Sequence, residues 1–207
     1  MSHYVGLVFH DCDTDYEDLL APFNEQDENY FQFIDRTDKV MGTWEKLPEH
    51  DFPTHDDGTP NNYPCDKAHY PTIDSLAKDW FGYEKNVEGK WGYKGNPNAK
   101  WDWYAEGGRW RGFIKTADDG DYEGQRLDHA DFTEIDWDYM LKDENIPFCI
   151  VTAGGEWKER GDMGWWAMVA NEKPEDAWHN EVRNYVNTIR NEGYADRVWV
   201  TAVDFHI

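Results

Sequence analysis

The hydrophobic pattern is clearest at the two ends of the chain. Tyr4-Val5-Gly6-Leu7-Val8-Phe9-His10 is a short, nearly continuous apolar run bounded by Asp11-Cys12-Asp13-Thr14-Asp15. It predicts a β-strand, followed by a helix over Tyr16–Leu20 capped by Thr14 or Asp13. At the other end, Phe148–Ala153 predicts a strand, Gly154-Gly155 a turn, and Gly164–Ala170 a second strand completing a hairpin. Pro174 opens a helix with Glu175 and Asp176 in its first turn. Its apolar positions Trp178, Val182, Tyr185, Val186 and Ile189 keep helical spacing, and Gly193 ends it. Arg197–His206 predicts a final strand.

The middle is less regular. Residues 24–72 are acidic and rich in Asn and Pro, and predict loops with one hairpin of Tyr30–Asp35 and Val40–Glu45. Ile73–Phe81 predicts a short helix and Gly82–Gly95 a Gly/Tyr-rich loop. Residues 117–131 predict an exposed acidic loop, and Asp136–Glu144 a helix. This order predicts an α+β fold: an antiparallel sheet with helices on one face, a ferredoxin-like core and a long acidic insertion. The first and last strands should lie side by side at its centre. A single domain is expected over 1–207, with 23–90 as the loop-rich insertion and 91–207 joining 1–22 in the core.

Composition sharpens this picture. Aromatic residues make up 16% of the 207 residues, with 12 Trp, enough large rings to build a core despite a mean hydropathy of -0.94. The formal net charge is -23. That charge argues against direct nucleic-acid binding through a basic surface and against an anionic membrane surface. It fits either a solvated surface or carboxylates that imitate nucleic acid toward a basic partner. Residues 1–70 carry 16 acidic and four basic side chains, the other 137 carry 27 and 16, so a bound anion is expected in the second part. Cys12, Cys65 and Cys149 form neither a zinc pattern nor a disulfide framework, which predicts a reducing cytoplasm. Met1-Ser2-His3-Tyr4 lacks a basic leader region, and no apolar run approaches a membrane span.

Two segments carry candidate chemistry. Asn96-Pro97-Asn98-Ala99-Lys100-Trp101-Asp102-Trp103-Tyr104-Ala105-Glu106-Gly107-Gly108-Arg109-Trp110 concentrates indoles, a glycine pair and a guanidinium. It reads either as a hairpin whose rings cap the core or as a ligand site. In the second case Lys100 and Arg109 grip an anion, Trp101, Trp103 or Trp110 stacks on a ring, and Asn96 and Asn98 read polar edges. Gly155–Trp166 repeats the composition, as a hairpin tip or as a second wall of that pocket through Trp157 and Arg160. Glu156 and Asp162 there are candidate acid–base groups. His10-Asp11 with Asp204 and His206 is a weaker constellation, able in principle to move protons or hold a dication if the end strands pair, or simply polar residues at strand ends. Asp11, Asp13 and Asp15 alternate like a calcium loop, but Tyr16 occupies its glycine position and Pro22 its final glutamate position. No phosphate-loop, dinucleotide or nucleophile-elbow motif occurs. No cofactor and no metal are expected.

The runs N-P-N-A-K-W-D-W-Y-x-x-G-G-R-W and G-E-W-x-x-R-G-x-M-G-W-W, with the ending Val203–Ile207, resemble a family of uncharacterised bacteriophage and bacterial proteins. The resemblance covers about residues 90–207. It implies a phage-type accessory protein in a host cytoplasm, with no catalytic roles assigned. The expected function is capture of a small nucleotide-like ligand such as a host-defence signal; the alternatives, in order, are an acidic, nucleic-acid-mimicking inhibitor of a basic host defence protein and a nucleotide hydrolase.

Overall fold

The computed structural model describes residues 2–47, 67, 69–118 and 124–207. Cys65 and the prolines Pro48, Pro53, Pro60 and Pro64 lie outside the described residues. The chain runs β1 (His3–Asp11), α1 (Tyr16–Leu20), β2 (Gln32–Asp35), α2 (Thr37–Lys46), α3 (Ile73–Ser75), β3 (Glu84–Lys85) and β4 (Trp91–Gly95). It continues through β5 (Trp103–Glu106), β6 (Ile114–Lys115), β7 (Arg126–Leu127), β8 (His129–Asp131), α4 (Trp137–Met140) and β9 (Cys149–Val151). It closes with β10 (Trp157–Glu159), β11 (Asp162–Met163), β12 (Val169–Ala170), α5 (Glu175–Glu192) and β13 (Val198–His206). The fold is mixed α+β. Two compact units divide it, one of residues 1–27 and 98–207 and one of residues 28–97.

The first unit is built on β1 and β13, antiparallel over nine residues from His3 opposite His206 to Asp11 opposite Val198. Both strands are buried along almost their whole length, which is why both read as continuous apolar runs rather than alternating ones. The strand order is β10-β9-β1-β13-β5, with β8 also pairing β13 beyond the end of β5. The β1–β9 pair is parallel, so the sheet is mixed rather than purely antiparallel.

Period-two geometry sorts the side chains onto two cores. Leu7, Phe9, Val198, Val200 and Ala202 pack with Trp178, Val182, Val186 and Ile189 of α5. Tyr4, Val8, Val203 and Phe205 pack with Leu20 of α1, Trp101, Cys149 and Val151. Helices therefore cover both faces, not one: α1 is short but carries enough apolar surface in Leu19 and Leu20 to close the second face. α5 ends at Gly193, whose φ of 75° gives the left-handed cap. Asp15, rather than Thr14 or Asp13, caps α1 by accepting from the Glu17 amide.

Three local expectations change. Trp157–Glu159, not Gly164–Ala170, is the antiparallel partner of β9. Gly164–Ala170 does not form one strand, because Trp166 and Ala167 take φ of 64° and 54° and the Gly164 amide donates to the Met168 carbonyl. That turn returns the chain so that β11 pairs β12. Arg126–Leu127 and His129–Asp131, expected as loop, are strands on β6 and β13.

The second unit holds the antiparallel sheet β2-β4-β3. Val40–Glu45, expected as a strand, lies in α2, where Val40 is the buried residue; Val40 and Trp44 are one helical turn apart. The expected Gly82–Gly95 loop contains β3 and β4. Thr72 and Ser75 cap α3 reciprocally, and a π turn over Leu76–Trp80 extends it. No helix among the described residues is long and apolar enough to cross a membrane.

The centre of the sheet has no room at Gly6, where an added Cβ would lie 2.5 Å from Cys149 Sγ and 2.6 Å from the Phe205 ring. Gly6→Ala is expected to cost about 1–3 kcal/mol by overpacking. Urea denaturation would read this as a lower midpoint with an unchanged slope.

Candidate functional site

The Gly107-Gly108-Arg109 turn follows β5, and its purpose is visible in what fills it. Gly107 and Gly108 have φ of 64° and 47°, conformations that suit glycine. A Cβ on Gly107 would meet the Asp128 carboxylate at 2.4 Å, and one on Gly108 would meet Asp204 Cβ at 2.4 Å. The turn is thus a cradle for two of the protein's own carboxylates. Asp204 is only 2% exposed. Its Oδ2 accepts from the Arg109 amide at 3.0 Å and its Oδ1 faces His3 Nδ1 at 2.8 Å. A carboxylate this deep must be paired and hydrogen-bonded, and the backbone N–H of Arg109 supplies part of that pairing. The Arg109 side chain itself is exposed.

At the start of β5 lies a cleft of about 520 Å³ lined by Glu17, Asp18, Ala21, Asn24, Trp101, Asp102, Trp103 and Tyr104. Backbone hydrogen bonds form its frame: the Lys100 amide donates to the Phe23 carbonyl and the Glu25 amide to the Trp101 carbonyl, both at 2.9 Å. These bonds lay the segment before β5 along the turn after α1. Three carboxylates and three aromatic rings line the cleft, and no Lys or Arg does. The Glu17 carboxylate, second to burial itself, pushes the Tyr104 phenol well above its usual range, so Tyr104 stays neutral. Trp103 leaves 45% of its surface exposed, whereas Trp101 is 6% exposed. The other buried indoles have partners, Trp137 Nε1 donating to the Phe132 carbonyl and Trp178 Nε1 to the Pro147 carbonyl, each at 2.9 Å. Trp101 Nε1 is buried with no partner among the described residues.

The two aromatic segments do meet, through the expected Lys100 and Trp157 but on a carboxylate, Glu159, rather than around a guanidinium. Lys100 pairs with Glu159, and Trp157 Nε1 donates to the same carboxylate at 2.9 Å. A pocket of about 130 Å³ at that junction is lined by Tyr4, Ala99, Lys100, Glu159, Asp162, Met163 and Ile207, well below the few hundred Å³ of ordinary ligand sites. Trp157 packs between Phe23 and Phe205 at 5.1 and 5.0 Å. Arg160 pairs with Glu172. Glu156 is exposed beside Lys158 at 3.3 Å, and Asp162 is exposed and accepts from Asn171 at 2.7 Å. Trp110 is half-buried, Asn98 exposed and Asn96 buried.

His10 and His206 do not approach each other. Strand register puts His10 opposite Trp199 and His206 opposite His3, at opposite ends of the pair and on opposite faces. At the His10 end, His10 Nδ1 lies 3.2 and 3.1 Å from the Asp11 and Thr14 carbonyls. Carbonyls only accept, so Nδ1 carries a hydrogen, and Nε2 lies 3.2 Å from Thr201 Oγ1. Thr201 Oγ1 in turn lies 2.7 Å from His129 Nδ1. Burial, then the nearby His10, holds His129 below the usual imidazole range. Asp11 pairs with Arg197 at 2.9 Å and accepts from the Asp13 amide, so the acidic run after β1 is a strand-end knot. Sequence reasoning missed His3, His129 and Thr201. His3 and His206 could have been matched by counting inward from both ends once the end strands were taken as an antiparallel pair. No protein family, curated protein or solved structure matches the chain.

Gly108→Ala, which forces a Cβ against Asp204 in left-handed backbone, is expected to destabilise the protein by about 2–4 kcal/mol in chemical denaturation. His129 generates a pH dependence. As pH falls through about 6.5, the unfolded chain takes up this proton before the folded one does. Stability is therefore full above that value and declines on acidification until folded His129 titrates. His129→Gln should make that decline shallower; an unaltered slope would show that other groups set it.

Proposed function

We propose that this protein binds a basic side chain of a partner protein in the cleft between α1 and β5. One observation carries the reading: Glu17, Asp18 and Asp102 line a hollow walled by Trp101, Trp103 and Tyr104, with no basic group among its lining residues. Carboxylates and aromatic faces together attract ammonium and guanidinium groups. The unpartnered Trp101 N–H asks for an acceptor oxygen, which a peptide carbonyl beside an Arg or Lys side chain provides. The net charge of -23 adds long-range attraction for a basic surface. The resemblance of residues 90–207 to uncharacterised phage proteins favours an accessory protein that blocks a host protein's nucleic-acid groove.

A nucleotide-like ligand is the second reading. The exposed face of Trp103 favours it, since it can stack on a base. The cations it needs are less favourable, because Lys100 and Arg160 are paired with Glu159 and Glu172.

Calorimetry and Trp fluorescence with an Arg-containing peptide, a cyclic dinucleotide and ADP-ribose separate the two. The peptide is expected to bind and to weaken with salt. Asp18→Asn and Trp103→Ala should each reduce its affinity by about tenfold, about 1.4 kcal/mol. Nucleotide binding with an inert peptide would overturn the cation reading in favour of the second.

A further inference from the structure

His3 and His206 sit directly opposite each other on β1 and β13. The flanking Ser2 and Ile207 exchange both backbone hydrogen bonds, each at 3.1 Å. His3 and His206 therefore form the alternate, non-hydrogen-bonded kind of pair, in which cross-strand side chains stand closest. Their ring centroids are 4.8 Å apart at an interplanar angle of 67°.

Each imidazole has its own carboxylate. His3 Nδ1 lies 2.8 Å from Asp204 Oδ1, and His206 Nδ1 lies 2.6 Å from Asp102 Oδ1. Ionised carboxylates only accept, so in both neutral rings the hydrogen sits on Nδ1 and the lone pair on Nε2. The His206 side chain is 6% exposed, and its Nε2 is buried without a hydrogen-bond partner among the described residues. A buried ring nitrogen left without a partner is unfavourable. The indole of Trp103 covers the pair, stacked on His206 at 5.1 Å and edge-on to His3 at 5.3 Å.

The geometry points to a two-imidazole site for a first-row transition-metal dication, formed by His3 and His206 under Trp103. Imidazole nitrogen selects Zn²⁺, Ni²⁺ or Cu²⁺ over Mg²⁺ and Ca²⁺, which take oxygen ligands. Asp204 and Asp102 act as positioning residues. Each fixes its ring's tautomer and raises the basicity of the opposite nitrogen, as carboxylates behind metal-bound histidines do. The site shares Asp102 and Trp103 with the cleft but does not rest on that cleft's function.

The test is calorimetric titration of the full chain with NiCl₂ and ZnCl₂, with MgCl₂ as control. One Ni²⁺ or Zn²⁺ per chain is expected, with no response to Mg²⁺. His206→Gln and His3→Gln should each weaken binding by about tenfold or more, and Asp102→Asn by about tenfold. His129→Gln and Glu17→Gln should leave it unchanged, the latter even though it lies in the proposed cation cleft. Fluorescence quenching by Ni²⁺ should shrink in Trp103→Phe. Circular dichroism checks each variant's fold; if His206→Gln unfolds, His3→Gln and the Trp103→Phe quenching difference decide. Absence of binding to either metal, binding unchanged by His3→Gln, or binding abolished instead by Cys12→Ser would overturn the site.

Discussion

Burial of the Asp204 carboxylate is the constraint around which the first unit is arranged. It occupies a central strand at 2% exposure, where an unpaired charge would cost several kcal/mol. Two distant stretches of sequence satisfy it: β1 supplies His3, and the turn after β5 supplies the Arg109 amide. Gly108 follows from this demand, because a side chain there would occupy the carboxylate's own space, while Gly107 makes room for Asp128. A motif that looks like an anion-binding loop is one, and its anion is internal.

The same strand pair separates the molecule's polar chemistry. Its middle is apolar on both faces, as Leu7, Val8, Ala202 and Val203 show. Polar groups are left only at the ends, on opposite faces. His3, Asp204 and His206 occupy one end, with Asp102 and Trp103 arriving from the β5 side. His10, Thr201 and His129 occupy the other, linked in one hydrogen-bond chain. A nine-residue register between them and the pleat together keep the two clusters from interacting.

The elements legible in the sequence were those whose burial is simple. β1 and β13 are buried on both faces, and α5 has one stripe against the sheet, so their patterns follow geometry directly. Their adjacency was also legible. The failures have physical causes. β2 pairs with β4, about 60 residues away, and no local pattern encodes a partner so distant. In Val40–Glu45 the alternation of Val40, Gly42 and Trp44 imitates a strand, while only Val40 is buried in the helix that forms. Gly164–Ala170 looked extended, but the left-handed Trp166 and Ala167 are conformations no propensity argument expects of such residues. At the site, the composition of both Trp-rich segments was legible and so was their meeting. Which side chains meet was not, because Lys100 with Glu159 and Arg160 with Glu172 are brought together from segments 59 and 12 residues apart by the fold.

That difference decides the chemistry of the cleft. Aromatic rings beside cations would favour a planar anion, whereas the same rings beside carboxylates favour a cation. Local pairing occupies several basic side chains: Lys100 goes to Glu159, Arg160 to Glu172 and Arg183 to Asp143. With acidic residues outnumbering basic ones 43 to 20, such pairing still leaves a surplus of carboxylates. What remains at this open aromatic surface is negative, which suits the basic partner proposed above. The acidity of the whole chain and the selectivity of one small hollow are, on this argument, consequences of the same imbalance.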